Sequence, residues 1–386
     1  MAMTGSGATD RLTPTGWPWR PGNRFHLLDG GGEFFARMLA AIESASAHVL
    51  LEMYLVSSGR VAGTFIEALS RARSRGVRCC VLFDSFGALG LSQADRRRLH
   101  AAGVELRFYN PLHWRRRLRN FLRDHRKLLT VDGRVAFVGG AGLADEFAPG
   151  PRAWRDLMVE IAGPVVADWQ RAFARSWRRC GPQLGLPDPV IAAIAGGAAG
   201  RLALSEARQR SVLANGVVRR IDAARTRVWI MSAYFVPSRR FRKALRRAAR
   251  RGVDVRLLMP GMRTDHPWVR QAARRFYGKM LRNGVRIFEY QPSMLHAKMI
   301  LCDDWLSLGS SNLDRWSFEW NLEANQEVDD RGVADAAAAL FAGDLERSLA
   351  LSRRRWPQRA WLDRLRERIA GALDRWLRGW RRPGPP

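Results

Sequence analysis

The chain has 386 residues, 47% of them hydrophobic, and a net charge of +29. That length allows two or three domains, and that hydrophobic content supports a sizeable core and excludes a disordered chain. A field this positive suits polyanionic partners (nucleic acid, anionic lipid or small phosphate esters), although arginines spread along the whole chain also fit ordinary surface cations.

Residues 1–21 begin MAMTGSGATD, without the basic and apolar regions of a secretory signal, and read as an N-terminal extension. Three apolar runs follow, separated by polar-faced helical stretches: HVLLEMYLV (48–56), RGVRCCVLFD (75–84) and AGVELRFY (102–109). Residues 110–124, NPLHWRRRLRNFLRD, put Trp114, Leu118, Phe121 and Leu122 near one helical face among five arginines. The same layout returns as RVWIMSAYFV (227–236), RGVDVRLLMP (251–260) and NGVRIFEY (283–290). Tyr54 maps to Tyr234, Gly76 to Gly252 and Gly103 to Gly284, so the chain is read as a duplication. Strand–helix alternation predicts an α/β fold, each repeat a mixed sheet flanked by helices. The repeats are placed at 22–180 and 208–350. The Pro-, Gly- and Ala-rich 181–207 serves as linker and 351–386 as a basic amphipathic tail.

Soon after its third strand, each half carries His-x-Lys-x4-Asp: His125, Lys127 and Asp132, then His296, Lys298 and Asp303. On a strand, residues i and i+2 face one side, so each His is set beside a fixed positive charge. Asp132-Gly133 between two apolar runs is a hairpin signal, so Asp132 reads first as a turn former. The two aspartates are nevertheless counted with the candidate catalytic set. The turns that follow, GGAG (139–142) and GSSN (309–312), offer backbone N–H groups to a phosphate at Gly139 and Gly140, and side-chain donors at Ser310 and Asn312. Asp156 in AWRDLMVEI and Glu323 in NLEAN are further candidate acids. Cys79, Cys80, Cys180 and Cys302 form no CxxC pair and no metal-ligand spacing with His; they read as core thiols, and neither metal nor cofactor is expected.

The doubled motif resembles that of the phospholipase D superfamily, over most of residues 22–330. HRKLLTVDGRVAFVGG and GSSNLDRWSFEWNLEAN look most like bacterial cardiolipin synthases. The resemblance implies duplicated domains with one active site between them, and metal-free transfer of a phosphatidyl group. It makes His125 the nucleophile that forms a phosphohistidine and His296 the acid/base, roles that the symmetry of the two halves would let them exchange, and Lys127 and Lys298 the stabilisers of phosphate charge. It gives Asp156 and Glu323 the role of supporting a His ring, often that of the opposite half. Two departures stand out: Gly142 occupies a position where the family usually has Asn, and the second motif is one residue shorter between Asp303 and Gly309.

The expected reaction makes cardiolipin from phosphatidylglycerol, an anionic phospholipid, on a membrane surface; the alternatives are a lipid hydrolase, transfer to another acceptor, or a superfamily nuclease, and oligomeric state is open. The run VIAAIAGGAAG (190–200) is too short to span a bilayer, so contact is expected to be peripheral, on the cytoplasmic side of the cell membrane. In the tail, Trp361, Leu365, Ile369, Leu373, Trp376 and Trp380 recur every three or four residues among many arginines. This pattern suits a helix in a lipid interface, or one packed on the protein itself. Lying beyond the second repeat, the tail is expected to be dispensable for assembling the active site.

Overall fold

The computed structural model describes residues 16–205, 210–314, 317 and 320–378. The first half comprises β1 (Arg20–Asp29), α1 (Gly30–Glu43), β2 (His48–Met53), α2 (Arg60–Ser74), β3 (Arg78–Asp84), α3 (Gln93–Ala101), β4 (Glu105–Tyr109), β5 (Lys127–Val131), β6 (Val135–Gly139), β7 (Leu157–Ala162) and α4 (Val165–Arg178). The second comprises β8 (Ala198–Ser205), α5 (Arg210–Ala223), β9 (Arg227–Met231), α6 (Arg239–Arg250), β10 (Asp254–Pro260), α7 (Pro267–Leu281), β11 (Arg286–Tyr290), β12 (Met299–Cys302), β13 (Trp305–Gly309), β14 (Glu323–Asp329), α8 (Arg331–Glu346) and β15 (Ser348–Ala350); α9 (Trp361–Arg378) follows.

All fifteen strands join one sheet, ordered β15-β11-β10-β9-β12-β13-β14-β8-β1-β7-β6-β5-β2-β3-β4. Read outward from the β8–β1 junction, the two halves repeat one order, so the duplication appears as a pseudo-two-fold about that antiparallel pair. In each half three strands run parallel, β2-β3-β4 and β9-β10-β11, joined by helical crossovers. The strand that follows each motif histidine runs antiparallel beside them, β5 on β2 and β12 on β9.

The polar-faced helices form for the reason their sequences suggest. On α6, Phe241, Ala244, Leu245 and Ala248 make one buried stripe, and the Ser238 hydroxyl caps the start by accepting from Phe241 N. One apolar cluster fills each outer layer, and a third, built around Trp169, Phe173, Trp177 and Phe341, contains residues of both halves. Cys79, Cys80 and Cys302 are buried free thiols, and burial holds the pKa values of Cys79 and Cys80 up at about 11 and about 12.

Three expectations need correction. The range read as linker contains β8, a buried strand paired with β14 and β1. Its sequence, AAGRLALS, is too poor in β-branched and aromatic residues to read as a strand. Within that range, residues 181–197 carry neither helix nor strand. Second, residues 114–121 form 3-10 turns rather than an α-helix; Trp114 and Phe121 are exposed, and the Leu118 side chain lies outside the described residues.

Third, the tail is not peripheral to the fold. Trp356 is buried, and α9 packs along α7: Arg275 Nη1 donates to Gly371 O at 2.6 Å, and Glu367 pairs with Arg274 and Arg359. Trp361, Leu365 and Ile369 of the tail stripe remain exposed. The side chains of Leu373 and Trp376, and all of Trp380, lie outside the described residues. No helix among the described residues is long and apolar enough to cross a membrane.

Candidate active site

Two bridges lace the halves together around the motif histidines. Asp124 bridges Leu322, with His125 N donating to Leu322 O at 3.0 Å and Leu322 N to Arg123 O at 2.8 Å. By the pseudo-two-fold, Arg155 bridges Leu295, with Arg155 N donating to Met294 O and His296 N to Arg155 O, both at 2.8 Å. Each histidine is thus held one step from the residue preceding a carboxylate of the other half. The consequence is crossed pairing: His125 Nδ1 meets Glu323 Oε2 at 3.0 Å, and His296 Nδ1 meets Asp156 Oδ2 at 2.6 Å. Both carboxylates are buried. Burial works to raise their pKa values, but the facing imidazoles and lysines outweigh it and hold both below the usual carboxylate range. An ionised carboxylate at Nδ1 fixes the N–H there and leaves Nε2 with its lone pair free.

The imidazoles line one pocket of about 560 Å³ at the carboxyl ends of the parallel strands, a common ligand position in α/β sheets. Tyr54 stands edge-on to His125, while Phe147 and Trp154 pack against His296. Lys127 lines the pocket and donates to His125 O at 2.7 Å; Lys298 Nζ lies 2.9 Å from His296 Nδ1 and donates to His296 O. Burial lowers all four pKa values: His296 to about 4, Lys127 to about 7 and Lys298 to about 8, with His125 shifted the same way. Burial therefore favours neutral rings and works against the two ammonium groups, and an anion placed among them would raise all four values.

The motif aspartates do not join this cluster. Asp132 (φ 53°) and Asp303 (φ 51°) sit at left-handed hairpin positions. Asp132 accepts from Ser46 N, Ser46 Oγ, Ala47 N and His48 N at 2.8–2.9 Å, and Asp303 from Arg225 N, Thr226 N, Thr226 Oγ1 and Arg227 N. They pin the β5–β6 and β12–β13 hairpins to the starts of β2 and β9, so their counting as catalytic is corrected to a structural role. Asp132→Ala should cost about 2–3 kcal/mol, from several lost hydrogen bonds and a strained φ for alanine. Asp132→Asn, which tolerates that φ, should cost less. Thermal melting beside rate per folded molecule checks this: the melting temperature drops while the rate holds.

The Gly-rich turns divide similarly. Gly139 faces β7, where a Cβ would fall 2.5 Å from Leu157 O, so it serves strand packing rather than phosphate binding. Gly140 lines the pocket and leaves room for the Asp156 carboxylate. Ser310, its counterpart, donates to Glu323 Oε2 at 2.5 Å and accepts from Ala324 N; it steadies the carboxylate rather than a ligand. Asn312 lines the pocket, and its buried side-chain oxygen has no hydrogen-bond partner among the described residues. At Gly142 a Cβ would come 2.6 Å from Leu55 O, so no side chain fits where the resemblance led one to expect Asn.

Several lining residues escaped the sequence reading. Tyr54 and Tyr234 were recognised only as register marks, although a tyrosine at one offset in both repeats was itself a signal. Tyr234 donates to Asp265 beside His266 on the wall contributed by the start of α7. Ala370 of α9 closes another part of that wall, which no local pattern could disclose.

A family model described as "Cardiolipin synthase, PLD-like domain" matches residues 38–177 and 217–345. The chain belongs to this phospholipase D-like family. It is 36% identical over 339 residues to cardiolipin synthase A of Pseudomonas putida (strain W619), covering 86% of this chain and 70% of that protein. It is 34% identical over 362 residues to cardiolipin synthase B of Escherichia coli (strain K12), covering 89% and 86% respectively. Phosphatidylserine synthase of Haemophilus influenzae Rd KW20 shares the fold, with a TM-score of 0.73 over 97% of both chains at 12% identity. The duplicated α/β architecture is therefore that of the phospholipase D superfamily, and the chain is a cardiolipin synthase-like enzyme within it.

The position of Ala370 reverses the expectation that the tail is dispensable. Removing residues 361–386 should cut turnover of a monomeric short-chain lipid about tenfold or more, because it opens the pocket wall and strips α7 of its cover. Unchanged turnover by the truncated chain would return the tail to a purely interfacial role.

Proposed function

We propose that this enzyme transfers a phosphatidyl group from one phosphatidylglycerol to another, giving cardiolipin and glycerol through a phosphohistidine. The observation that carries this reading is the pair of imidazoles on one pocket, each with Nδ1 held by a carboxylate of the opposite half. His296 takes up a proton at Nε2 from solvent as the phosphodiester anion binds beside it; His125 Nε2 then attacks phosphorus, the bond to the glycerol oxygen breaks, and that oxygen takes the His296 proton. His296, now a base, removes the proton from the hydroxyl of the acceptor lipid, which attacks phosphorus and expels His125. Glu323 and Asp156 stabilise whichever ring is positive, while Lys127 and Lys298 balance charge on the non-bridging oxygens.

Exposed apolar side chains follow the carboxyl ends of the parallel strands, where the pocket lies: Phe86 and Leu89 after β3, Trp114 after β4, Met262 after β10 and Trp268 on α7, with Ile369 of α9 next to the pocket residue Ala370. This rim, interspersed with arginines, suits the anionic cytoplasmic face of the cell membrane, with the protein bound peripherally.

Phosphatidylglycerol vesicles incubated with the purified protein test the reading by mass analysis of products. Cardiolipin with released glycerol is expected. Phosphatidic acid alone would make the enzyme a lipid hydrolase, and DNA cleavage without lipid product would make it a nuclease. The pH profile of kcat/KM should be displaced towards acid. The lowered histidine values keep the rings neutral as pH falls below their usual range, towards about 4 for His296. The lowered lysine values lose the ammonium charges as pH rises through about 7 and about 8. A monomeric short-chain substrate measured from acid to alkaline pH should therefore show decline on the alkaline side from near neutrality.

A further inference from the structure

Beyond the histidine–lysine cluster, the reaction pocket has a second polar wall, built from Tyr234, which follows β9, and from Asp265 and His266, which lead into α7. The Tyr234 hydroxyl donates to Asp265 Oδ2, and the His266 ring packs against the tyrosine with ring centroids 5.3 Å apart. Burial and this carboxylate hold the Tyr234 pKa well above its usual value, so the phenol stays a donor and fixes the carboxylate in the wall. Among the described residues, Asp265 Oδ1 is left with only a 3.5 Å contact from Thr264 Oγ1. In a chain with a net charge of +29, Asp265 has no lysine or arginine at ion-pair distance among those residues; its one basic neighbour in that range is the exposed His266, with Nε2 3.7 Å away. Arg263, two residues earlier, donates instead to Pro292 O at 2.5 Å.

This wall has no twin in the first half. Tyr54 is the counterpart of Tyr234, but residues 85–92, which lead from β3 to α3, contain no ionisable side chain, and none of them lines the pocket. The wall also bears on the His296 end of the site. Burial lowers the Lys298 pKa, and the negative charges of Asp156, Glu323, Asp265 and Asp314 oppose that shift. Lys298 is the lysine whose Nζ lies 2.9 Å from His296 Nδ1. A carboxylate and a phosphate oxygen are both anionic and both acceptors, so an unneutralised Asp265 suits a neutral group that brings hydroxyl donors. Asn312 Oδ1, buried in the lining of the same pocket without a partner among the described residues, is a further unfilled acceptor. The headgroup of phosphatidylglycerol carries two hydroxyls on adjacent carbons, next to its esterified oxygen.

We propose that Asp265, held by Tyr234 and flanked by His266, binds the vicinal hydroxyls of the glycerol headgroup and so makes phosphatidylglycerol the preferred phosphatidyl donor. This rests on the phosphatidyl-transfer reading above. The departing glycerol lies against the wall while His296 protonates its ester oxygen. The glycerol of the acceptor lipid then takes the same place, because its hydroxyl reaches phosphorus along the path by which the first one left. Asp265 positions the headgroup and takes no part in making or breaking bonds.

The test is a competition between donors. Dihexanoyl-phosphatidylglycerol is supplied together with dihexanoyl-phosphatidylpropanol, whose headgroup has the same three carbons and neither free hydroxyl, and the released glycerol and propanol are measured. Their ratio compares kcat/KM for the two donors, whatever the acceptor. A hydrogen bond to a charged, part-exposed group is worth about tenfold, so the wild-type protein should favour glycerol release by about tenfold or more. Asp265→Ala should bring the ratio to within about twofold of unity. Asp265→Asn, which keeps an oxygen and loses the charge, and Tyr234→Phe, which lets the carboxylate turn away, should fall between. A wild-type ratio near unity, an unchanged ratio in Asp265→Ala, or equal loss of both products would overturn the proposal. Should Asp265→Ala melt early, the isosteric Asp265→Asn decides, and an unchanged ratio in it refutes the proposal.

A third donor, dihexanoyl-phosphatidylethanolamine, separates a reader of hydroxyls from a reader of cations. Slower ethanolamine than glycerol release by the wild-type protein supports the proposal. Faster ethanolamine release, with that preference lost in Asp265→Ala, would make the wall an ammonium site and refute it. Phosphatidic acid without any cardiolipin-type product would sink the transferase reading, whereas the ratio of glycerol to propanol would still report on Asp265.

Discussion

His125→Ala and His296→Ala should each lower turnover by about a thousandfold or more. In the proposed mechanism one ring bonds phosphorus while the other protonates the departing oxygen, so neither can act for its partner. A positioned acid or base alone is worth about 10²–10⁴-fold, and loss of the nucleophile removes the covalent route altogether. The two rings hang from equivalent places in the two halves, so the losses should be alike. Rates on a monomeric short-chain lipid, measured beside melting temperature, check this; more than about a tenth of the wild-type rate in either variant would refute the two-histidine mechanism.

Glu323→Gln and Asp156→Asn should slow the reaction about a hundredfold each, by damaging the ring of the opposite half. An amide at Nδ1 can present its N–H as readily as its oxygen, which permits the unproductive tautomer, and it cannot stabilise an imidazolium. The crossed geometry sets the pattern: Glu323→Gln acts on His125 and Asp156→Asn on His296. With each ring less able to hold a proton, the acid limb of the rate profile should move to lower pH. A structural role alone would lower the melting temperature and leave that limb in place. Glu323 also accepts from Ser310 and Asn321, so Ser310→Ala should reproduce a small part of the Glu323→Gln defect.

Much of the site was legible because duplication wrote it twice: one His-x-Lys is an accident of composition, whereas two at matching places in a repeat are not. Asp156 and Glu323 were reachable only through family resemblance, since their pairing with the rings depends on the Asp124–Leu322 and Arg155–Leu295 bridges between distant segments. The motif aspartates misled as catalytic candidates because spacing records co-occurrence, not purpose. Their carboxylates serve Ser46–His48 and Arg225–Arg227, stretches with no chemical signature. The strand β8 was hidden by alanine and glycine, whose weak propensity is overridden by pairing with β14 and β1. The place of α9 was hidden because its outward stripe is the conspicuous one. The packing face, with Glu367, Ala370 and Gly371, has no amphipathic contrast to betray it.

The crossed carboxylates also bear on the ancestry of the fold. Two identical copies of either half, paired about a true two-fold, could have made the same pair of ring–carboxylate contacts, so a homodimer is a sufficient forerunner. In such a dimer every substitution is made twice, and any gain on one side of the pocket is imposed on the other. Joining the halves through residues 181–197 lifts that constraint. Gly142 can then yield its side chain to the close approach of Leu55 while Asn312 keeps an amide in the pocket. A single continuous chain makes such inequality between the two sides of the pocket heritable.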